Sequence, residues 1–272
     1  KNWKQRCLGH YFKLVANATR DRYMQEIYLN VTINLSHLAS TLIMFLIKHA
    51  HTQIERQQFA TALYIAVKKL QNNTAINLHR SLLNPIDYSE LLNGTSTRFA
   101  SFISEAIAAD LIVEENTYYL LLPKLLEDQE IDSVRLENMI SVYDNEAKPI
   151  SLVRELISQS WYESDHVDKQ KLATWHFEDE CRDLSWERHA YSKTNYQDIN
   201  IHETATADAK PFLFEPNDSK NNGIGILLIH GLLASPAELK DYGEYLVQQG
   251  YTVIRNHWQN LGQAAQQSPT SI

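Results

Sequence analysis

The sequence predicts a mixed fold, mostly α-helical over its first two thirds and α/β at its C-terminal end. Three observations lead to this fold class. Glycine and proline contribute only 8 and 7 of the 272 residues, about half the usual share, so tight turns are scarce. Apolar residues recur at helical spacing in the first half of the chain. A continuous apolar run at 226–229 is instead typical of a strand in a parallel sheet.

Composition and charge argue against several classes of protein. Hydrophobic residues make up 44% and charged residues 21%, which is typical of a globular chain. The formal net charge of -8 repels nucleic acid. Cys7 and Cys181 lie too far apart to indicate a disulfide scaffold or a thiolate zinc site, and a reducing, cytoplasmic compartment fits them. The apolar stretch 42–47 is far shorter than the roughly 20 residues that span a bilayer.

The first 30 residues have the opposite charge to the rest of the chain. Six basic residues face only Asp21 and Glu26 there: Lys1, Lys4, Arg6, Lys13, Arg20 and Arg22. One interpretation is the solvated face of a helix. The other is peripheral contact with anionic lipid at the inner face of the membrane, or with phosphate.

Two amphipathic helices and a hairpin follow. Apolar residues recur every three or four positions at 60–70 and again at 99–107. Short apolar runs at 111–113 and 117–122, around a polar turn, predict a hairpin. Helices followed by a hairpin resemble a winged helix, but the corresponding recognition helix offers only Arg98 as a base and carries Glu105 and Asp110. We therefore expect no nucleic acid partner.

The sequence as a whole suggests three regions. Residues 1–150 form a helical region that ends in an acidic stretch, and 151–216 form a helical connector. Within that connector, 168–196 has helical composition, with a buried side made of Trp175, Phe177, Cys181, Leu184, Trp186 and Tyr191. A polar cluster at 217–222 marks a boundary. Residues 217–272 are predicted to begin an α/β domain.

The most informative motif lies in this last region. The apolar run 226–229 ends at His230 and Gly231, and Ser235 with Pro236 and Glu238 predicts a capped helix start. Gly250 is a plausible left-handed helix stop, and 251–254 reads as a second strand. We expect the two strands to be parallel and covered on both faces. The His-Gly loop would then lie at the carboxyl edge, where α/β ligand sites form.

These residues resemble the opening of an α/β-hydrolase domain of the esterase and lipase type. The string I-L-L-I-H-G-L-L-A-S-P-A-E-L, followed by the helix and Gly-Tyr-Thr-Val-Ile, carries the resemblance over residues 223–255. It implies that Leu232 lends a backbone N–H to an oxyanion hole, supported by His230 and Gly231. The chain has no G-x-S-x-G elbow, so the nucleophile is expected outside it. Residues 256–272 lack the Gly-His-Gly type turn that the resemblance leads us to expect. Truncation or a reading-frame error would account for the Gln-rich run at 259–267, and a native sequence is the alternative.

The upstream part resembles the C-terminal region of bacterial glycerol-3-phosphate acyltransferase-like proteins. The run R-L-E-N-M-I-S-V-Y-D-N-E at 135–146 carries the resemblance, together with the apolar helix at 35–47 and the segment 120–126. The segment 199–212 resembles the joint by which some of these proteins are fused to a hydrolase. The acyltransferase signature H-x-x-x-x-D is absent from the chain, so its catalytic pair is expected upstream.

Together the two resemblances imply a fragment of a bifunctional bacterial protein of glycerolipid metabolism and phospholipid biosynthesis. The chain begins with Lys1 rather than Met, which fits a piece of a longer polypeptide. Its substrate would be an acyl ester or acyl donor, and the isolated chain is expected to be inactive. The alternative is a non-catalytic helical or winged-helix-like interaction module.

No cofactor or metal site is predicted. His49 and His51 flank one residue, which separates their side chains by about 200° on a helix or sends them to opposite sides of a strand. The sequence has neither an H-E-x-x-H motif nor a glycine-rich phosphate loop.

Overall fold

The computed structural model describes residues 3–127, 137–191, 197, 210–230 and 236–255. The chain divides into two compact units, residues 1–167 and 168–272. The connector expected at 151–216 is therefore shared between the units, because its first helix packs within the first one.

The first unit is built mainly from helices. They are α1 (Trp3–Leu29), α2 (Leu35–Lys48), α3 (Arg56–Gln71), α4 (Pro85–Tyr88), α5 (Thr97–Ala108), α6 (Met139–Ala147) and α7 (Ser151–Ser164). The described part of this unit also has three short strands: β1 (Gln53–Glu55), β2 (Ile112–Glu115) and β3 (Tyr118–Leu121). Single 3₁₀ turns lie at Arg80–Leu82, Ser89–Leu91 and Pro123–Leu126.

The core of this unit lies where α2 and α3 pack against α6 and α7. Leu42 in α2 and Leu63 in α3 are fully buried. Helix α2 begins in a capping box: the Asn34 side chain accepts the backbone N–H of His37, and the His37 ring accepts the backbone N–H of Asn34. The helices predicted at 35–47, 60–70 and 99–107 are confirmed, because each buries the apolar face that its spacing indicates.

The predicted hairpin is also confirmed, with one difference. Strand β3 pairs antiparallel with β2 on one side and with β1 on the other. Strand β2 continues to Glu115, and the turn begins at Asn116, whose φ of 53° is left-handed. Asparagine tolerates that conformation, which explains why the turn falls one or two residues later than its polar composition suggested.

Helix α1 differs from the rest of the unit. Asn17 and Tyr28 are half-buried, and every other described side chain of α1 is exposed, including Trp3 at 67% and Phe12 at 61%. In the parts of the chain that the structure describes, no helix is long and apolar enough to cross a bilayer.

Among its described residues, the second unit has two helices and a three-stranded sheet. The helices are α8 (Lys169–Tyr191) and α9 (Lys240–Gln248), and the strands are β4 (Phe212–Phe214), β5 (Gly225–Leu228) and β6 (Thr252–Arg255). Single 3₁₀ turns lie at Asp218–Lys220 and Pro236–Leu239. The strand order is β4-β6-β5. The predicted strand-loop-helix-strand unit is confirmed, with β5 and β6 parallel and β4 antiparallel to β6.

Two expectations about burial are wrong. Strand β5 is not covered on both faces: Leu227, and Ile229 just after the strand, are exposed, because α9 packs only on the face that carries Leu228 and Val253. Trp186 in α8 is also exposed, whereas Trp175 and Leu184 are buried as expected. Cys181 and Phe177 are half-buried, and the side chain of Tyr191 lies outside the described part.

Candidate carboxyl-edge site

The candidate site lies at the carboxyl edge of β5 and β6. The parallel register pairs Leu228 with Arg255, so the two strands end in the same row. His230 follows β5 by two residues and is half-buried. The first residue of the antiparallel strand, Phe212, pairs with Arg255 from the other side. Ligand sites of α/β proteins form at this edge because successive loops leave the sheet there.

One face of the sheet packs against α9 and fixes the position of this edge. Leu228, Leu246 and Val253 form its buried centre. Helix and sheet approach closely at Gly243, where a Cβ atom would lie 2.8 Å from Cε2 of Phe212. A side chain at Gly243 would therefore force the ring of Phe212 to move.

The turn into β6 also depends on a glycine. Gly250 has a φ of 92°, and a Cβ atom there would collide with the backbone carbonyl of Lys220. The Asn222 N–H donates to the Gly250 carbonyl over 3.0 Å, and the Thr252 N–H donates to the Ile224 carbonyl over 3.0 Å. The predicted left-handed stop at Gly250 is confirmed, and it starts β6 in register with β5.

The opposite face borders a cavity of about 330 Å³. Strand residues Leu213 and Ile254 and the helical residue Thr174 of α8 line it. The Gln170 side chain donates to the Glu215 carboxylate over 3.2 Å, which links the start of α8 to the end of β4. This face is therefore only partly covered.

The structure describes only part of the predicted oxyanion region. His230 lies at the end of β5, as the sequence indicated. Gly231, Leu232 and Ser235, the predicted helix cap, fall outside the described residues. The backbone role of Leu232 stays a prediction.

Sequence reasoning missed Arg255, the largest fully buried side chain of the described chain. Its Nε, Nη1 and Nη2 atoms have no hydrogen-bond partner among the described residues. Burial lowers the pKa of this guanidinium. A buried guanidinium with unpaired N–H groups is costly to the folded state. No local pattern in the sequence distinguishes it from a charged strand end that faces solvent.

The histidines considered as metal ligands make other contacts. His49 Nδ1 lies 2.7 Å from the carbonyl oxygen of Phe45, and the ring of His51 contacts Trp161 edge-on. Within the described residues, no group of three His, Cys, Asp or Glu side chains is placed to hold a metal ion.

Arg98, the one base of the helix compared with a recognition helix, is also engaged. Its Nη2 lies 3.1 Å from the Asp87 carboxylate in α4. This ion pair reduces the charge that α5 could offer to phosphate.

Comparison of the chain with protein-family models, with curated proteins and with solved structures finds no match.

Proposed function

We propose that this chain belongs to a bifunctional bacterial glycerolipid-metabolism protein, in which an acyltransferase module is joined to an α/β-hydrolase that acts on acyl esters. The parent would work in the cytoplasm, at the inner face of the membrane. The single observation that carries the proposal is the parallel β5-loop-α9-β6 unit, with His230 at its carboxyl edge.

The chemistry of that edge supports acyl-ester hydrolysis in the parent. Attack on an ester carbonyl places negative charge on a tetrahedral oxygen, and backbone N–H groups fixed at a strand end stabilise it without rearranging. One such donor contributes roughly 3 kcal/mol, and the Leu232 N–H is our candidate. The chain supplies no elbow serine, so it would contribute part of the oxyanion hole but no nucleophile.

The closeness of α2 and α6 supports the acyltransferase half of the proposal. Helix α6 overlaps the segment 135–146 that carries the resemblance. It packs on α2, the apolar helix that also carries the resemblance. Two polar contacts join them: His37 Nε2 lies 3.2 Å from Glu146 Oε2, and Lys48 Nζ lies 3.6 Å from Asp144 Oδ2. We propose that this region is accessory to a catalytic pair encoded upstream.

A second candidate function is a non-catalytic interaction module. A groove of about 350 Å³ between α3, α5 and the hairpin favours it, with Phe99, Ile103 and Tyr119 in its lining. Arg56 lies over the Tyr119 ring and pairs with Glu114, so the groove has both an apolar surface and charged groups.

Reading the DNA on both sides of the coding segment tests the first proposal. We expect an H-x-x-x-x-D motif upstream and a G-x-S-x-G elbow downstream, in one of the three frames after Arg255. Absence of both motifs would refute the proposal. A pull-down that depends on groove residues, with no such motifs, would favour the interaction module.

An ester-hydrolysis assay tests the division of roles within the parent. We expect the isolated chain to show no turnover of a p-nitrophenyl ester. Turnover that a serine-directed inhibitor abolishes would contradict the proposed absence of a nucleophile.

A further inference from the structure

We propose that the first part of α1, residues 3–20, is an interfacial helix that binds the surface of an anionic lipid bilayer. The inference does not depend on the proposed function. It rests on the exposure, the arrangement and the charge of α1 alone.

The exposure of α1 is unusual for a helix rich in large apolar residues. Trp3, Leu8 and Phe12 are each more than half exposed, and so are Tyr11 and Leu14. Isolated exposed apolar residues are common on protein surfaces, but a contiguous set marks an interaction site. These exposed side chains of α1 therefore indicate a surface that binds an apolar partner.

The arrangement of these residues indicates what kind of partner fits. At 100° per residue, apolar and small side chains occupy about half of the helix circumference: Trp3, Cys7, Leu8, Tyr11, Phe12, Leu14, Val15 and Ala18. Lys4 is the one charged residue in that half. The opposite half contains His10, Lys13, Asn17 and Arg20.

An apolar half-circle favours a bilayer over a coiled coil. A coiled-coil seam is a narrower stripe at two positions of seven, whereas interfacial helices have a broad apolar face with aromatic residues. The pattern ends at Asp21, since Tyr23 and Ile27 lie on the opposite side of α1. The amphipathic part is thus limited to 3–20.

The charge of the same stretch selects an anionic surface. Residues 1–20 contain five Lys or Arg and no Asp or Glu, although the whole chain carries a net charge of -8. Each basic residue close to an anionic bilayer strengthens binding by about fivefold. A second copy of the chain would bring the same basic helix and be repelled, so charge complementarity favours lipid.

Vesicle sedimentation of the full chain tests the proposal with two matched pairs of variants. We expect the chain to pellet with phosphatidylglycerol vesicles at low salt, and binding to phosphatidylcholine vesicles to be at least tenfold weaker. Phe12→Glu should weaken binding to phosphatidylglycerol by about tenfold or more, because it removes an apolar contact and places a negative charge at the anionic surface. Its control is Ile86→Glu in α4, since Ile86 is 66% exposed and Phe12 is 61% exposed.

The second pair tests the charge. Lys13→Glu should weaken binding by about twentyfold, since it removes one positive charge and adds a negative one. Lys148→Glu makes the same change after α6 and should leave binding within about twofold of the unchanged chain. Circular dichroism of all four variants checks that the fold is retained.

Three results would overturn the proposal. The first is no pelleting of the unchanged chain with phosphatidylglycerol vesicles. The second is equal binding by Phe12→Glu and Ile86→Glu. The third is a dimer in lipid-free sedimentation velocity that Phe12→Glu dissociates, which would assign the face to a second copy. None of these results bears on the motifs expected in the flanking DNA.

Discussion

Helices α2 to α7 of the first unit and the sheet of the second unit differ in how completely they bury their apolar residues. In the first unit, other elements pack against α3 on several sides, and its residues Leu63, Tyr64 and Val67 are fully buried. In the second, the sheet centre described by the structure consists of Leu228, Leu246 and Val253, while Leu227 and Ile229 remain exposed. Helices α2 to α7 therefore have a core of their own, whereas the sheet exposes apolar side chains along and just after β5.

The largest effect is expected in the core of the first unit. Leu63→Ala should lower the free energy of unfolding by about 3–4 kcal/mol, because it removes buried apolar contacts and leaves a cavity. Urea unfolding followed by circular dichroism measures the change. The same substitution at exposed Leu8 in α1 is the control and should change stability by less than about 0.5 kcal/mol. A loss below about 1 kcal/mol at Leu63 would mean that this core is loosely packed.

A smaller loss is expected in the second unit. Val253 is fully buried in the central strand β6. Val253→Ala removes two methyl groups and should lower the free energy of unfolding by about 1.5–2 kcal/mol. Amide hydrogen exchange in β4 and β6 reports the change. Val113→Ala in β2, where Val113 is 42% exposed, is the matched control. If Val253→Ala cost as much as Leu63→Ala, the contrast between the units would fail.

Substitution of Arg255 should raise the free energy of unfolding, whereas the two core substitutions lower it. Arg255→Met removes a buried guanidinium that has no partner among the described residues, so stability of the second unit should rise by about 1 kcal/mol. Arg255→Lys retains the charge and should give no such gain. Chemical denaturation of the three proteins side by side tests this. A loss of stability on Arg255→Met would show that the guanidinium is paired in solution.

The smallest effect is a pH dependence in the first unit. Burial lowers the pKa of His37, while the hydrogen bond and charge of Glu146 oppose that shift. The unfolded chain therefore binds more protons below about pH 6.5, and stability should fall as the pH drops through that value toward the lower folded pKa. His37→Gln should flatten this profile, since Gln can keep the capping box but does not titrate.

Denaturation midpoints between pH 8 and pH 5 measure the profile. Glu146→Gln provides the complementary test, because losing the partner that raises the pKa of His37 should steepen the decline. An unchanged profile for His37→Gln would assign the pH dependence to other groups.

The sequence predicted correctly those elements whose structure depends on residues close together in the chain. Periodic apolar residues indicated α2, α3 and α5, and Gly250 indicated the turn before β6. Strands β1 and β4 were not predicted, since three residues carry too little periodicity and both form only by pairing with distant strands.

Burial that depends on distant segments was harder to predict. An apolar run such as 226–229 has the same sequence whether one or both faces are covered, so the exposure of Leu227 could not be derived from it. Arg255 was overlooked because a charged residue ending a strand ordinarily faces solvent. At the candidate site, the sequence indicated His230 and the parallel edge but not the burial of Arg255, which pairs with Leu228 in that edge.

Amide hydrogen exchange of the ¹⁵N-labelled chain tests the central claim most directly. We predict that the Leu232 amide exchanges about as fast as in an unstructured peptide, because a donor that serves an oxyanion hole would have no hydrogen-bond partner within the chain. We also predict strong protection of the Val253 amide in the central strand. Protection of Leu232 equal to that of Val253 would mean that its N–H is bonded within the chain, and would contradict the oxyanion-hole assignment.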